Sequence, residues 1–406
     1  MPEREPVLIA GAGIGGLTAA LALSRHGFPV EVYERRAEKQ IELSGTGLTI
    51  WSNATTALAE LGLHERLLER GDPVIRAEHR GEKRRLMLLT EVQEHTWPNS
   101  TPGVSIARGD LVRMLMEACE QHGVRVHLDQ RCLGYETDGS GVTLRLAGGG
   151  SARGRVLIGG NGLRSTIREQ LLNGETGLTY TGVSTYRGIS DSSGGVPKGT
   201  AYLMQRLNGV SGGGWHVADG RFAWTVGCQT PEGGRDTPGT MKASVQRMLD
   251  GFEGPPRKFV ANTPEERIIR TDIHYHEWNE TWGDGPVTLL GDAAHALPTI
   301  LGQGACQAIE DAVVLADALA VADDPVEGLR SYENRRKPRV RWIQDQVFKI
   351  WGLQKYNIGP MRWLFIPLGR FFAARSQPKL WSGLQQPPEL SANTPGEDER
   401  VGRGER

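Results

Sequence analysis

The sequence predicts an α/β fold in which a βαβ unit opens the chain, a β-sheet region is inserted, and helices follow at the C-terminal end. Three observations predict it. An apolar, β-prone run at 6–10 leads into Gly11-Ala12-Gly13-Ile14-Gly15-Gly16 and then an Ala/Leu-rich segment. Two more glycine motifs, Gly160-Asn161-Gly162 and Gly291-Asp292 with Gly302-Gln303-Gly304, each follow a short apolar run of the kind that forms a buried parallel strand. Between them, 179–230 alternates in the manner of strands. The first and outer parts therefore read as a Rossmann-like domain, and the middle as a second, sheet-built domain.

The elements follow in order. Residues 6–10 form a strand, 17–25 a helix closed by Gly27, and 28–33 a second strand ending at Glu34, a βαβ opening. Residues 53–70 read as one helix, with Leu58, Leu61, Leu63, Leu67 and Leu68 near one face. Another helix spans 108–122. Strands at 124–128 and 142–146 flank a Gly/Ser turn, and 156–159 is a buried strand. A helix at 241–249, a strand at 267–276 and a strand at 287–290 precede a long helix over 304–320 and a charged, helical stretch over 326–350. Residues 361–375 are apolar and aromatic, and from 386 the composition is that of a disordered tail. The division is 1–175 for the nucleotide domain, with part of the substrate region near 71–105. It continues as 176–275 for the substrate sheet, 276–345 for the return, 346–385 for C-terminal helices and 386–406 for the tail.

Composition narrows the function. A net charge of −1 gives no electrostatic case for nucleic acid. The 54 glycines are nearly twice the usual ~7%, and they concentrate in the motifs and turns, so they read as backbone geometry. Cys119, Cys132, Cys228 and Cys306 form no CxxC pair and lack metal-ligand spacing to histidine, so no metal site is expected. With no signal-like start and no long apolar run, a cytoplasmic, reducing setting is expected.

The first motif acts through backbone. Gly11 makes the tight turn after the strand, Gly13 lets the main chain approach a pyrophosphate, and Gly16 lets the helix pack on the sheet. Ile14 and Gly15 open a helix whose free N–H groups face phosphate. Glu34 lies 23 residues after Gly11, where a carboxylate meets a ribose diol. Its charge disfavours a 2′-phosphate, so FAD or NAD fits better than NADP. A glycine-rich turn with no ligand is the alternative.

Together the three motifs resemble the FAD-dependent aromatic hydroxylases, the class A flavoprotein monooxygenases with a para-hydroxybenzoate hydroxylase-like fold. The resemblance spans about residues 6 to 345 and is thin in the inserted sheet. It implies FAD held by Gly11, Gly13, Ile14, Gly15, Gly16, Glu34 and Arg35, with Arg108 reaching the cofactor from the start of its helix. It places Gly47, in the loop 44–49, close to the isoalloxazine. It places Asn161 and Gly162 in the second motif, with Asn161 standing where relatives carry aspartate. In the third motif it implies Asp292 on the ribityl or ribose hydroxyls and Pro298 beside the flavin. Gly302, Gly304 and Ala305 then open a helix toward the ring. Cys306 stands where relatives carry asparagine. His295 belongs to the motif's pattern and reads as structural.

The resemblance further implies that NADPH or NADH reduces FAD and that O2 then forms a flavin hydroperoxide. This species hydroxylates or epoxidises an aromatic or polyene small molecule. Tyr202, Met204, Trp215 and Trp224 are candidates for an apolar substrate pocket, although alternation along a strand would turn half of them into core. No catalytic base is named; Tyr186, Arg187, His216, His274 and His276 lie in the region. Two other functions compete, a reductase or dehydrogenase of the same fold and an FAD-binding protein without turnover. Membrane contact through 363–372 is the lesser expectation, against packing across the domains.

Overall fold

Val7–Ala10 is buried along its whole length and pairs in parallel with Val30–Tyr33 on one side and Val156–Gly159 on the other. Continuous apolar runs make such strands because both sheet faces are covered. Arg125–His127 adds to one edge, and Val287–Leu289 with the short Gly283–Asp284 to the other, completing six strands. Ile14–Arg25, Arg108–Gln121 and Gly304–Val321 are the helices that belong with this sheet. Their apolar residues and the strands form one core. The structure, a computed structural model, describes residues 5–37, 46–81, 86–206, 209–356 and 378–391.

The second large sheet has seven strands. Their order is Ile269–His276, Leu178–Ser190, Arg221–Gln229, Ser211–Val217, Thr200–Gln205, Arg76–Arg80 and Leu86–Glu91. The last two come from early in the chain: Arg76–Arg80 joins Thr200–Gln205 in parallel, and Leu86–Glu91 pairs antiparallel with Arg76–Arg80 at the edge. Pairing register sorts the residues of this sheet into two faces, because side chains alternate with period two. Tyr202 opposes Gly214, which opposes Trp224, and Tyr186 opposes Val226. These residues pack with Phe259, Val260 and Val245 of the helices Pro255–Ala261 and Met241–Met248, a second core. Leu203, Trp215, Thr225 and Arg187 take the opposite parity.

Several sequence expectations need correction. The helix expected over 53–70 is two helices, Ser52–Glu60 and His64–Arg70. Gly62, at φ +74°, breaks them apart in a conformation that stops a helix. The strand at 125–127 joins the parallel sheet, and the hairpin partner of Val142–Leu146 is the unexpected strand Cys132–Thr137. Gly47–Ile50, expected as loop, is a strand paired with Val104–Ala107. The tail expected from 386 is held at its start. The Glu389 carbonyl accepts from Arg335, and Ser391 donates through its backbone N–H and hydroxyl to Asp317. Ser44, Gly45, the apolar segment 361–375 and residues 392–406 lie outside the described residues.

Candidate functional site

A single cavity of about 2280 Å³ runs between the parallel sheet and the seven-stranded sheet. It exceeds the ~300–1,000 Å³ of an ordinary small-molecule pocket, which leaves room for a dinucleotide and a second ligand together. Of the predicted cofactor residues, Gly11, Gly13, Ile14, Gly15, Glu34, Arg35, Gly47, Arg108, Asn161, Gly162, Asp292, Pro298, Gly302, Gly304 and Ala305 all line it. Gly16 does not line it. A Cβ there would sit 2.0 Å from the Gly11 carbonyl oxygen, so Gly16 lets the helix press onto the strand end.

Gly11 adopts φ +104°, and a Cβ on it would lie 2.6 Å from the Gly160 carbonyl oxygen. The first and second motifs therefore touch backbone to backbone. A Cβ on Gly13 would meet nothing within 4 Å, so that backbone stands open beside the cavity. Glu34 is fixed by its neighbours. Its carboxylate accepts from the Ala12 N–H at 3.0 Å, from the Arg36 N–H at 2.9 Å and from the Arg36 guanidinium at 2.9 Å. Burial opposes its charge, but the Arg36 guanidinium and these N–H groups outweigh burial and hold its pKa below the ordinary carboxylate value. The sequence reading placed Arg35 at the cofactor. Arg35 borders the cavity as an exposed side chain, and Arg36 makes the ion pair.

The second motif is tied to the third by one arginine. The buried Arg168 guanidinium donates to the carbonyls of Thr176, Ala293 and Ala294 at 2.9–3.1 Å, and burial pushes its pKa down to about 10. Asn161 accepts from the Ser165 hydroxyl and donates to Thr166 at 3.1 Å, while Ser165 caps the helix Thr166–Leu171. The amide thus supplies both a donor and an acceptor to this turn.

In the third motif Asp292 opens into the cavity yet lies deep within the protein. Desolvation raises its pKa, opposed by His295 and Arg108. Its Oδ1 lies 3.8 Å from where a Gly304 side chain would begin, beside the first turn of Gly304–Val321. Trp51 braces the Pro298–Gly302 loop, donating from its indole to the Leu301 carbonyl at 3.2 Å. Cys306 accepts from the Trp51 N–H at 3.4 Å, and burial lifts its thiol pKa to about 12.

His295 is structural. Its Nε2 meets Asp311 at 2.6 Å, and the same carboxylate accepts from the Gly291 N–H at 2.9 Å and from Arg336 at 2.7 Å. Arg336 also bonds Glu310 and Gln307 at 2.6 Å each. This buried network holds the turn that presents Asp292. Sequence reasoning missed Asp311 and Arg336 because nothing local marks a carboxylate and an arginine that meet only across two helices. Burial opposes the Asp311 charge, but His295 and Arg336 hold its pKa down to about 2. Its contribution to stability is therefore complete above the ordinary aspartate value of 3.8 and is lost as pH falls through about 2. The stability gap between wild type and Asp311→Asn, measured by urea titration, is expected to be full at pH 7 and to shrink toward pH 2.

Among the four substrate candidates the sheet's parity decides. Trp215 faces the cavity, with its Nε1 3.0 Å from a notional Gly47 Cβ and without a hydrogen-bond partner among the described residues. Tyr202 does not line the cavity and sits in the second core. Trp224 and Met204 border the cavity but share the core face. The Trp224 indole donates to Thr263 at 2.8 Å and stacks near Phe259. Register was the missing information, since the alternation reads the same with either face inward. Of the possible bases, Tyr186 donates to Asp236 on the core face, His216 bonds the Val196 carbonyl, and His274 bonds Glu232. His276 is buried off the cavity lining, and desolvation with Arg168 pushes its pKa down to about 3. His79, Leu88, Ala77 and Leu203 line the cavity and were not singled out by the sequence.

The residues present fit FAD. Arg35, Arg36, Arg80, Arg108, Arg131, Arg164, Arg187, Lys349 and Lys379 line the cavity against the carboxylates of Glu34 and Asp292, a balance that suits a pyrophosphate. The open backbone at Gly13 suits close approach of that pyrophosphate.

Comparison with known proteins agrees. Residues 4–347 match a family model described as an FAD binding domain. The chain is 34% identical over 372 residues to an aurachin C monooxygenase/isomerase of Stigmatella aurantiaca, covering 91% of this chain and 94% of that one. It is 32% identical to a chloroplastic zeaxanthin epoxidase of Nicotiana plumbaginifolia, covering 84% of this chain and 54% of that one. The crystal structure of Klebsiella pneumoniae HpxO with FAD and uric acid superposes with a TM-score of 0.84 at 26% identity, over 94% of this chain and 96% of that one. The glycine turns, the acid at the second strand and the loop before Gly304 thus occur here in the order and fold of a flavoenzyme, and the chain belongs to the FAD-dependent aromatic hydroxylase family of flavoprotein monooxygenases.

Proposed function

We propose that the protein takes electrons from NADPH or NADH, uses O2, and hydroxylates or epoxidises a hydrophobic aromatic or polyene small molecule. The observation that carries this reading is the continuity of one cavity, from the glycine turn and Glu34 to the inner face of the seven-stranded sheet. In this reading Glu34 accepts from the adenosine ribose, and Gly11, Gly13, Ile14, Gly15 and Arg108 face the pyrophosphate. Asp292 would accept from the ribityl or ribose hydroxyls, and Gly47, Pro298 and the Gly302–Ala305 turn would hold the flavin side. Asn161 and Gly162, beside the Gly11 turn, would border the pyrophosphate, and Arg35 would lie at the adenine side. FAD supplies two-electron reduction and oxygen activation, which no side chain provides.

The chain's own residues do the rest. Trp215, Leu203, Ala77 and Leu88 form an apolar wall that excludes water and presses a flat ligand toward the ring. The relatives' names support an aromatic or polyene ligand: one acts on aurachin C, one on zeaxanthin, and a third is solved with uric acid. The reading includes a cytoplasmic protein without a nucleic-acid or membrane partner. No helix among the described residues is long and apolar enough to cross a membrane.

Oxygen-electrode assays of FAD-loaded protein with NADPH or NADH test the reaction. The expected result is O2 uptake that rises with substrate and product that carries label from 18O2. Equal substrate turnover without oxygen would establish the reductase instead. Glu34→Ala is expected to weaken FAD by about 10- to 100-fold, because it removes a hydrogen bond to a charged group worth about 1.5–3 kcal/mol. Fluorescence titration of apoprotein with FAD measures it, and unchanged affinity would remove Glu34 from the site.

A further inference from the structure

We infer that Arg187 is the anion-binding group of the substrate site, so that the molecule oxygenated is flat and largely apolar but carries one delocalised oxyanion, a carboxylate or an ionised ring hydroxyl. The inference rests on the flavin reading above and narrows its substrate class.

Arg187 lies on the strand Leu178–Ser190, opposite Thr225, on the parity of Leu203 and Trp215. It lines the cavity. Its Nε donates to the Thr185 hydroxyl at 3.1 Å, and this fixes the plane of the guanidinium. Among the described residues no carboxylate stands within ion-pair distance of it, and desolvation lowers its pKa.

The neighbouring Arg270 shows the contrast. It pairs across from Tyr186, on the opposite face, and there it meets Asp236 at 3.9 Å and Asp272 at 3.5 Å. The sheet thus places its carboxylates on the outer face and leaves the inner arginine without one. Within the cavity, Arg36 is compensated by Glu34 and Arg80 by Glu78. Arg35, Arg131, Arg164, Lys349 and Lys379 are exposed to solvent. Arg108 is desolvated too, but it feels the carboxylates of Asp292 and Glu34 on the cofactor side. Arg187 is the desolvated cation that is oriented against the apolar wall of the seven-stranded sheet.

Arg187 is half-buried, and a partly desolvated charge with no carboxylate partner is costly, a cost that a bound anion relieves. Guanidinium and a planar oxyanion match in geometry, since two N–H donors can meet two oxygen lone pairs. A neutral polyene would leave the charge uncompensated. A ring bearing an ionised hydroxyl or carboxylate would be paired and oriented by it, with its plane against Trp215 and Leu203.

The test uses FAD-loaded protein and a panel of one- to three-ring aromatic carboxylates, such as 2-naphthoate, each paired with its neutral carboxamide. Binding is read as perturbation of the flavin absorbance bands. Wild type is expected to prefer carboxylate over carboxamide by about tenfold or more. Arg187→Met is expected to bring that ratio to about one, with Arg187→Lys intermediate. The retained flavin spectrum shows that each variant is folded. Equal binding of acid and amide by wild type, binding of none of the panel, or a preference that survives in Arg187→Met overturns the inference. A protein that takes up no FAD fails the flavin reading itself, before any probe is added.

Discussion

Replacing Gly11 with alanine is expected to yield protein that leaves gel filtration without FAD. Two effects add. The residue sits at φ +104°, where an L side chain costs about 1–2 kcal/mol. The new Cβ would also stand 2.6 Å from the Gly160 carbonyl oxygen, an overlap that costs about 1–3 kcal/mol to relieve. Relief would push apart the first and second motifs, which the cofactor needs together. The sum, about 2–5 kcal/mol, corresponds to weakening by ~30-fold or more if it falls on the FAD-bound geometry. Gly13→Ala separates the fold from the ligand. Its φ is −80° and a Cβ would meet nothing within 4 Å, so the melting temperature of the apoprotein should be unchanged while FAD affinity falls. Gly13→Ala protein that binds FAD as wild type does would show that phosphate does not approach this turn.

Arg336→Met is expected to be the most destabilising single change away from the glycine turns. The guanidinium is buried between Asp311 at 2.7 Å and Glu310 at 2.6 Å. Removing it strands two carboxylates in the core, and breaking such a buried pair costs about 3–5 kcal/mol. The denaturant midpoint should fall accordingly. Combining Arg336→Met with Glu310→Gln and Asp311→Asn should recover part of the loss, because the stranded charges are then gone. If the single variant unfolds at the wild-type midpoint, the network does not support the third motif as described.

What was legible in the sequence was what short-range rules determine. A glycine turn after an apolar strand, an acid 23 residues later, and Gly-Asp after another strand each carry their geometry locally, and the structure gathers these residues around one cavity. Tertiary partners were not legible. Arg35 and Arg36 are adjacent and chemically alike, so only the fold could show which one reaches Glu34. Tyr202, Trp215 and Trp224 all sit on strands of one sheet, but a one-residue shift of phase exchanges core for cavity, and only pairing fixes that phase. Arg187 was noted as one of several residues in the region. Its distinction from Arg270 depends on which sheet face each occupies. Gly62 and the partition of 53–70 into two helices show the same limit on a smaller scale, since leucine spacing continued through the break.

The most direct test of the central claim is the absorbance spectrum of desalted, FAD-reconstituted protein during anaerobic addition of NADPH or NADH, followed by air. The account predicts oxidised-flavin bands that bleach with one of the two donors and return with oxygen, the bleaching faster when substrate is present. Protein that holds no flavin after reconstitution, or whose bound flavin is reduced by neither donor with substrate present, would contradict it.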